Sequence, residues 1–205
     1  MKRTGRWVAV GSVCLLAVTG CTDQPASSAA TIGDAQVELQ ELSDQLLAIN
    51  EVLGLPSDSA DVAFTNTVLT NNVVYELVDQ AAAAAGIDVS DAAVDQRLRD
   101  QIEFAGSEEL VVRDSAQAGI APDLIPAVVR ARLQADALTE QLVGGTGLGP
   151  DEQNLVLIAE LQRSSDAVGT TVNPRFGSWD ANSLSIVADP QAPSAPAQPD
   201  IIGFP

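Results

Sequence analysis

Residues 60–86, ADVAFTNTVLTNNVVYELVDQAAAAAG, decide the fold class. Leu69, Val73, Leu77 and Ala81 recur at every fourth position and form one row, while Phe64, Val68, Tyr75, Val78 and Ala82 lie nearby on a second. The spacing predicts a helix from about Ala60 to Ala85, stopped at Gly86. A helix apolar on two sides needs partners on both, so this one is expected at the centre of a helical domain.

Both flanks continue the helical pattern. Upstream, Leu39, Leu42, Leu46, Ile49 and Leu53 share one stripe, and Gly54 with Pro56 closes it. Downstream, Ser90 is placed as an N-cap with Asp91 in the first turn, leading into a buried row of Val94, Leu98, Ile102 and Ala105. Gly106-Ser107-Glu108-Glu109 restarts a short helix that ends at Gly119. A long helix capped by Asp123 would place Pro126 at its third position, where a missing N–H costs nothing, with Val128, Ala131, Ala135, Leu138 and Leu142 facing inward up to Gly144. Pro150 opens the last helix, with Asp151 and Glu152 in its first turn and Leu157, Leu161 and Val168 along one row. Short β segments are expected at 29–32, 36–38, 170–173 and 183–187, the first and last pairing with each other. The expected fold is therefore mostly α, about six helices with short β segments near both ends of the domain.

The termini have a different character. Lys2, Arg3 and Arg6 precede an apolar stretch from Trp7 to Val18, and Val18-Thr19-Gly20-Cys21 is a small-residue cleavage site ending in cysteine. That stretch is shorter than the roughly 20 apolar residues of a spanning helix. Residues 1–20 are similar to a bacterial lipoprotein signal, and the resemblance implies that Cys21 is lipidated and becomes the new N-terminus; the competing reading is an ordinary signal with a coincidental cysteine. Residues 21–30 (CTDQPASSAA) read as a flexible tether, 31–188 as the folded domain, and 189–205 as a Pro-rich disordered tail. Within that tail Pro190, Pro193, Pro196 and Pro199 recur every third residue, the period of polyproline II.

Composition narrows the chemistry. Ten Lys and Arg stand against 28 Asp and Glu, a net charge of −18. Without residues 1–20 it becomes −21, with seven arginines as the sole basic side chains. An acidic surface releases no counterions from a phosphate backbone, so nucleic acid is a poor partner. The chain has no histidine and Lys2 is its one lysine, which excludes His-based general base catalysis, His-ligated zinc, Schiff-base chemistry and a P-loop lysine. Cys14 lies in the leader, so a mature chain would hold no cysteine but Cys21 and no disulfide. Gly144-Gly145-Thr146-Gly147-Leu148-Gly149 departs from G-x-G-x-x-G and follows a helix, so it is read as an interhelical hinge. Arg97, Arg99, Arg130 and Arg132 are expected in intrahelical or interhelical ion pairs, Arg132 with Asp136 at i,i+4 spacing; the alternative is that they grip acidic groups of a client. No cofactor, metal or catalytic residue is called for.

Gly86-Ile87-Asp88-Val89-Ser90-Asp91-Ala92-Ala93-Val94-Asp95, after a long Ala-rich helix, resembles the interhelical linker in the N-terminal domain of the SurA/PrsA/trigger-factor-like periplasmic chaperones. Ile32-Gly33-Asp34 through Leu42 is similar to that family's opening, and Gly119-Ile120-Ala121-Pro122 before an Arg-containing helix to its later half. Val172-Asn173-Pro174-Arg175-Phe176-Gly177-Ser178-Trp179-Asp180 resembles the closing signature of SurA-N-like actinobacterial lipoproteins. The resemblance covers about residues 30–180 and implies a helical cradle for unfolded or exported polypeptides. The family's parvulin domain, which carries histidines, is expected to be missing, and prolyl isomerase activity with it. Read bottom-up, Asn173 to Asp180 is instead a turn that docks Phe176 and Trp179 onto the helices.

The function expected from these readings is a non-enzymatic, chaperone-like holdase, lipid-anchored at the extracytoplasmic face of the cell membrane. The alternative is a non-catalytic adaptor for one specific cell-envelope protein.

Overall fold

The computed structural model describes residues 27–59 and 61–187; the leader, Cys21 and the Pro-rich tail lie outside the described residues. Six helices account for most of the described chain, with short strands before the first and after the last, which is the fold class expected from the sequence.

Strands β1 (Ser28–Ile32) and β2 (Ala35–Glu38) form a hairpin about Gly33, and β3 (Thr171–Val172) adds to the other edge of β1, giving an antiparallel order β2-β1-β3. The sheet therefore joins the two ends of the domain. Ser28, Ala29 and Ala30 are fully buried, so the expected tether of residues 21–30 loses its last three residues to the core. The small side chains that read as a linker are what let β1 pack closely against the helix layer. Ser28 closes its own polar account by donating its hydroxyl to the Ala30 carbonyl at 2.7 Å.

Helix α1 (Leu39–Leu53) ends at Gly54, whose φ of 67° lets its N–H reach back to the Asn50 and Glu51 carbonyls. Helix α2 (Val62–Ala84) starts where the Asp61 carboxylate accepts the Phe64 N–H at 2.7 Å. It touches α1, β1, β2 and three elements downstream, and buries Val68, Leu69, Val73, Leu77, Val78, Ala81 and Ala82. It is the central helix its two apolar rows predict. Truncating Leu77, fully buried, to alanine costs about 2–5 kcal/mol for a side chain of this class.

Helix α3 (Asp91–Ala105) is capped by Ser90 as expected, and α4 (Glu108–Gln117) by Ser107. The predicted buried row of α3 reduces to Val94, with Leu98, Ile102 and Ala105 half-buried, because α3 sits at the edge. Asp123 does not cap the next helix. It lies in a 3-10 turn, Pro122–Leu124, which runs into α5 (Ile125–Val143) with Pro126 in the first helical turn. Helices α2, α3 and α6 (Pro150–Val168) all pack on α5, so its buried set extends beyond the expected face to Val129, Gln134 and Val143, while Leu142 is exposed. Residues 144–149 connect α5 to α6, and Glu152 accepts the Gly149 N–H at 2.9 Å to close the start of α6.

The last segment differs from expectation in its pairing. Strand β4 (Ser178–Asp180) pairs antiparallel with β5 (Ser185–Val187), so the first and last strands do not meet. A tight turn decides this: Asp180 accepts the Ser183 hydroxyl and the Asn182 N–H, which folds β5 back onto its neighbour, and Leu184 at φ 47° delays the strand to Ser185. Those bonds, the Ser183 hydroxyl foremost, hold the Asp180 carboxyl below its usual range.

Candidate functional site

An apolar cleft lies over the exposed flank of α1. It has a volume of about 660 Å³ and is walled by Leu39, Leu42, Leu46 and Leu47 of α1, by Val62 at the start of α2, and by Phe176. Ser43, Ser57, Asp58, Thr65 and Arg175 stand around it. A space of this size with apolar walls and few polar groups has the usual make-up of a ligand or peptide pocket.

Local chemistry explains each wall. On a helix, positions 39, 42, 43, 46 and 47 share one flank, so the stripe that seals the core with Leu42 also supplies a partly open row. Leu47 is 45% exposed and Val62 68%, values that leave apolar surface uncovered by the described residues. The opposite flank of α1 is polar: a second cleft, of about 520 Å³, is lined by Gln40, Glu41, Asp44, Gln45 and Asp123 with Ala48 and Pro122. One helix thus separates an apolar cleft from an acidic one.

The C-terminal wall is held in place by hydrogen bonds that reach across the sequence. Asn66 donates its side-chain N–H to the Phe176 carbonyl at 2.9 Å, which fixes the 174–177 turn against α2. Asn173 donates to the Ser28 carbonyl at 3.0 Å and ties the same turn to β1. Trp179 donates its indole N–H to the Ser165 hydroxyl on α6 at 2.8 Å. Phe176 is buried and Trp179 half-buried, so both aromatics dock on the helices as the sequence suggested. Arg175 places its guanidinium 5.0 Å from the centre of the Phe176 ring, a cation–π contact at the cleft rim. Among the described residues Arg175 has no carboxylate partner.

Of the arginines expected in ion pairs, Arg130 forms one between helices and, among the described residues, the others do not. Arg130 reaches from α5 to Asp91, at 2.5 Å, and to the Val89 carbonyl, pinning the connection between α2 and α3. Arg163 pairs with Glu160. Among the described residues Arg132 and Asp136 form no ion pair and Arg97 forms none; Arg99 donates to Gln96 at 2.8 Å instead. Exposed pairs gain little in water, so helical spacing alone does not bring them together.

Cys21, the lipidation site read from the sequence, lies outside the described residues, as does the Pro-rich tail. Among the described residues no helix is long and apolar enough to cross a membrane. Sequence reasoning did not identify Leu47 or Val62 as site residues. Leu47 was the available signal: it is the one leucine of α1 that falls off the predicted stripe. No protein-family model matches the chain, and neither a curated protein nor a solved structure is found similar to it.

Proposed function

We propose that the chain is a lipid-anchored, extracytoplasmic, non-catalytic protein that holds apolar segments of unfolded or exported polypeptides in the cleft over α1. The observation that carries this reading is the exposure of Leu47 and Val62 beside Leu39, Leu46 and Phe176 in one open cleft. The resemblance of residues 30–180 to SurA-N-like chaperone domains and the leader ending at Cys21 support the same reading. A cleft that takes three or four client side chains gains about 1.5–3 kcal/mol from each. Association and ordering cost several kcal/mol or more, so affinity falls in the micromolar range. The charge of −21 keeps a bound complex soluble and favours basic clients, a bias that weakens as salt shortens the screening length to about 8 Å at physiological ionic strength.

The test is binding of a permanently unfolded basic model protein to the mature chain and to its Leu47→Asp and Val62→Asp variants, at two salt concentrations. Both sites are exposed, so folding survives the substitutions. Micromolar binding that drops at least tenfold in the variants is expected; unchanged binding overturns the role of the cleft. Absence of binding to unfolded chains, with tight capture of one envelope protein, establishes the adaptor instead. Lipid anchoring is tested separately by intact mass of the membrane-extracted protein, and Cys21→Ala releases the protein to the medium.

A further inference from the structure

We infer that the chain carries its own ligand for this cleft, the segment Asp200-Ile201-Ile202-Gly203-Phe204, which occupies the site in cis. The described chain ends beside the cleft. The Val187 carbonyl oxygen lies so close to Gly177 that a Cβ there would be 2.3 Å from it, and Gly177 directly follows Arg175 and Phe176 of the cleft wall. Residues 188–205 continue from that point as ADPQAPSAPAQPDIIGFP. Twelve residues of Pro, Ala, Gln, Ser and Asp separate Val187 from Asp200, and at up to about 3.3–3.6 Å each they reach some 40 Å, more than a return to the adjoining cleft requires.

The composition of the segment matches the site. After a run with no large apolar residue, Ile201, Ile202 and Phe204 supply three apolar side chains within four positions. The cleft presents Leu39, Leu46, Leu47 and Val62 with open apolar surface. Asp200 brings a carboxylate ahead of them, and Arg175 at the rim is the cation with no carboxylate partner among the described residues. The segment is therefore complementary in apolarity, and in charge at Arg175, while Asp58 is the opposing charge in the same lining.

Tethering sets the strength of the effect. A short linker gives an effective concentration on the order of 1 mM. The segment has one anchor fewer than a four-anchor client, which lowers its affinity by about 1.5–3 kcal/mol, or about ten- to a hundredfold; at an intrinsic affinity of about 0.1–1 mM it fills the cleft half of the time or more and weakens an outside ligand about two- to tenfold. A client must displace the tail, so weak ligands are rejected and strong ones retained.

The inference rests on the apolar cleft of the proposed function, but its first readout needs no client. Methyl NMR spectra of the full mature chain are compared with those of the Ile201→Ser/Ile202→Ser/Phe204→Ser variant, each at two protein concentrations tenfold apart. Shifts confined to Leu39, Leu42, Leu46, Leu47 and Val62, with Leu98 and Leu110 unmoved and no dependence on concentration, are expected. Unmoved cleft methyls overturn the inference. Shifts that vanish on dilution overturn it too, because they assign the segment to the cleft of a second copy. Arg175→Gln should give part of the same shift. The unfolded probe protein then separates the two ideas: it binds the tail variant two- to tenfold more tightly if clients use the cleft, and not at all if only the tail does.

Discussion

Gly177→Ala should undo the wall that carries Phe176, and its cost can be worked from two features. Gly177 has φ +121°, a region that side-chain-bearing residues rarely enter, at a cost on the order of 1–3 kcal/mol. Its new Cβ would also lie 2.3 Å from the Val187 carbonyl oxygen, and that backbone atom must retreat by at least about 0.7 Å to reach even the 3.0 Å that packed atoms tolerate. The retreat disturbs the pairing of Ser178 with Val187, with one or two hydrogen bonds at about 0.5–1.5 kcal/mol each. Alanine returns about 0.4–1 kcal/mol by restricting the unfolded chain. The balance is a loss of about 2–4 kcal/mol, or a fall in Tm of about 4–16 °C for a domain of this size. Urea unfolding followed by Trp179 fluorescence reports both quantities, since Trp179 is the one tryptophan besides Trp7. A red-shifted native emission should accompany the loss, because Trp179 follows the hairpin. Stability within 0.5 kcal/mol of the parent, with unchanged emission, would refute the reasoning.

Trp179→Phe keeps most of the packing but removes the 2.8 Å bond to Ser165, which is 2% exposed; the orphaned hydroxyl should cost about 1–3 kcal/mol by urea denaturation. Arg130→Met should destabilise more than Asp91→Asn does, since Asp91 is solvent-exposed whereas the Val89 carbonyl loses its charged donor; chemical denaturation of both variants orders them. Asp180, held below its ordinary range by the Ser183 hydroxyl and the Asn182 N–H, contributes to hairpin stability above the unfolded carboxyl pKa of about 3.9, and that contribution is lost as pH falls through its depressed folded value. Trp179 emission titrated from pH 6 to pH 2 should change earlier in Asp180→Asn, which lacks the contribution throughout.

The six helices were legible because periodicity and punctuation agree: Leu69, Val73 and Leu77 face one way, and Gly54, Gly86, Ser90 and Gly106 stand where helices stop or start. The strands were harder. Strand β4 comprises three residues, too few for alternation to register, and its pairing with β5 follows from a side-chain turn at Asp180 that no hydropathy pattern encodes. Ser28 to Ala30 read as a tether because small residues signal either looseness or very close packing, and only the neighbours distinguish the two. The cleft was half legible. Leu39, Leu42 and Leu46 are legible in the sequence as a core stripe, but which of them is covered depends on tertiary packing: Leu42 is buried, while Leu39 and Leu46 stay partly open beside Ser57 and Asp58.

The pairing of β1 with β3 sets an order of events. Ala30 stands opposite Val172 in the sheet, so the opening strand cannot gain that neighbour until almost the whole domain has emerged. A chain delivered amino end first, from a ribosome or through a translocation channel, must keep Ser28 to Ile32 waiting while every helix is produced. Closing that circuit means closing a long loop, so it is expected as a late step of folding. The sheet acts as a clasp: cutting the chain short of Val172 leaves β1 with one partner and an open edge, so truncated products carry a built-in mark of incompleteness.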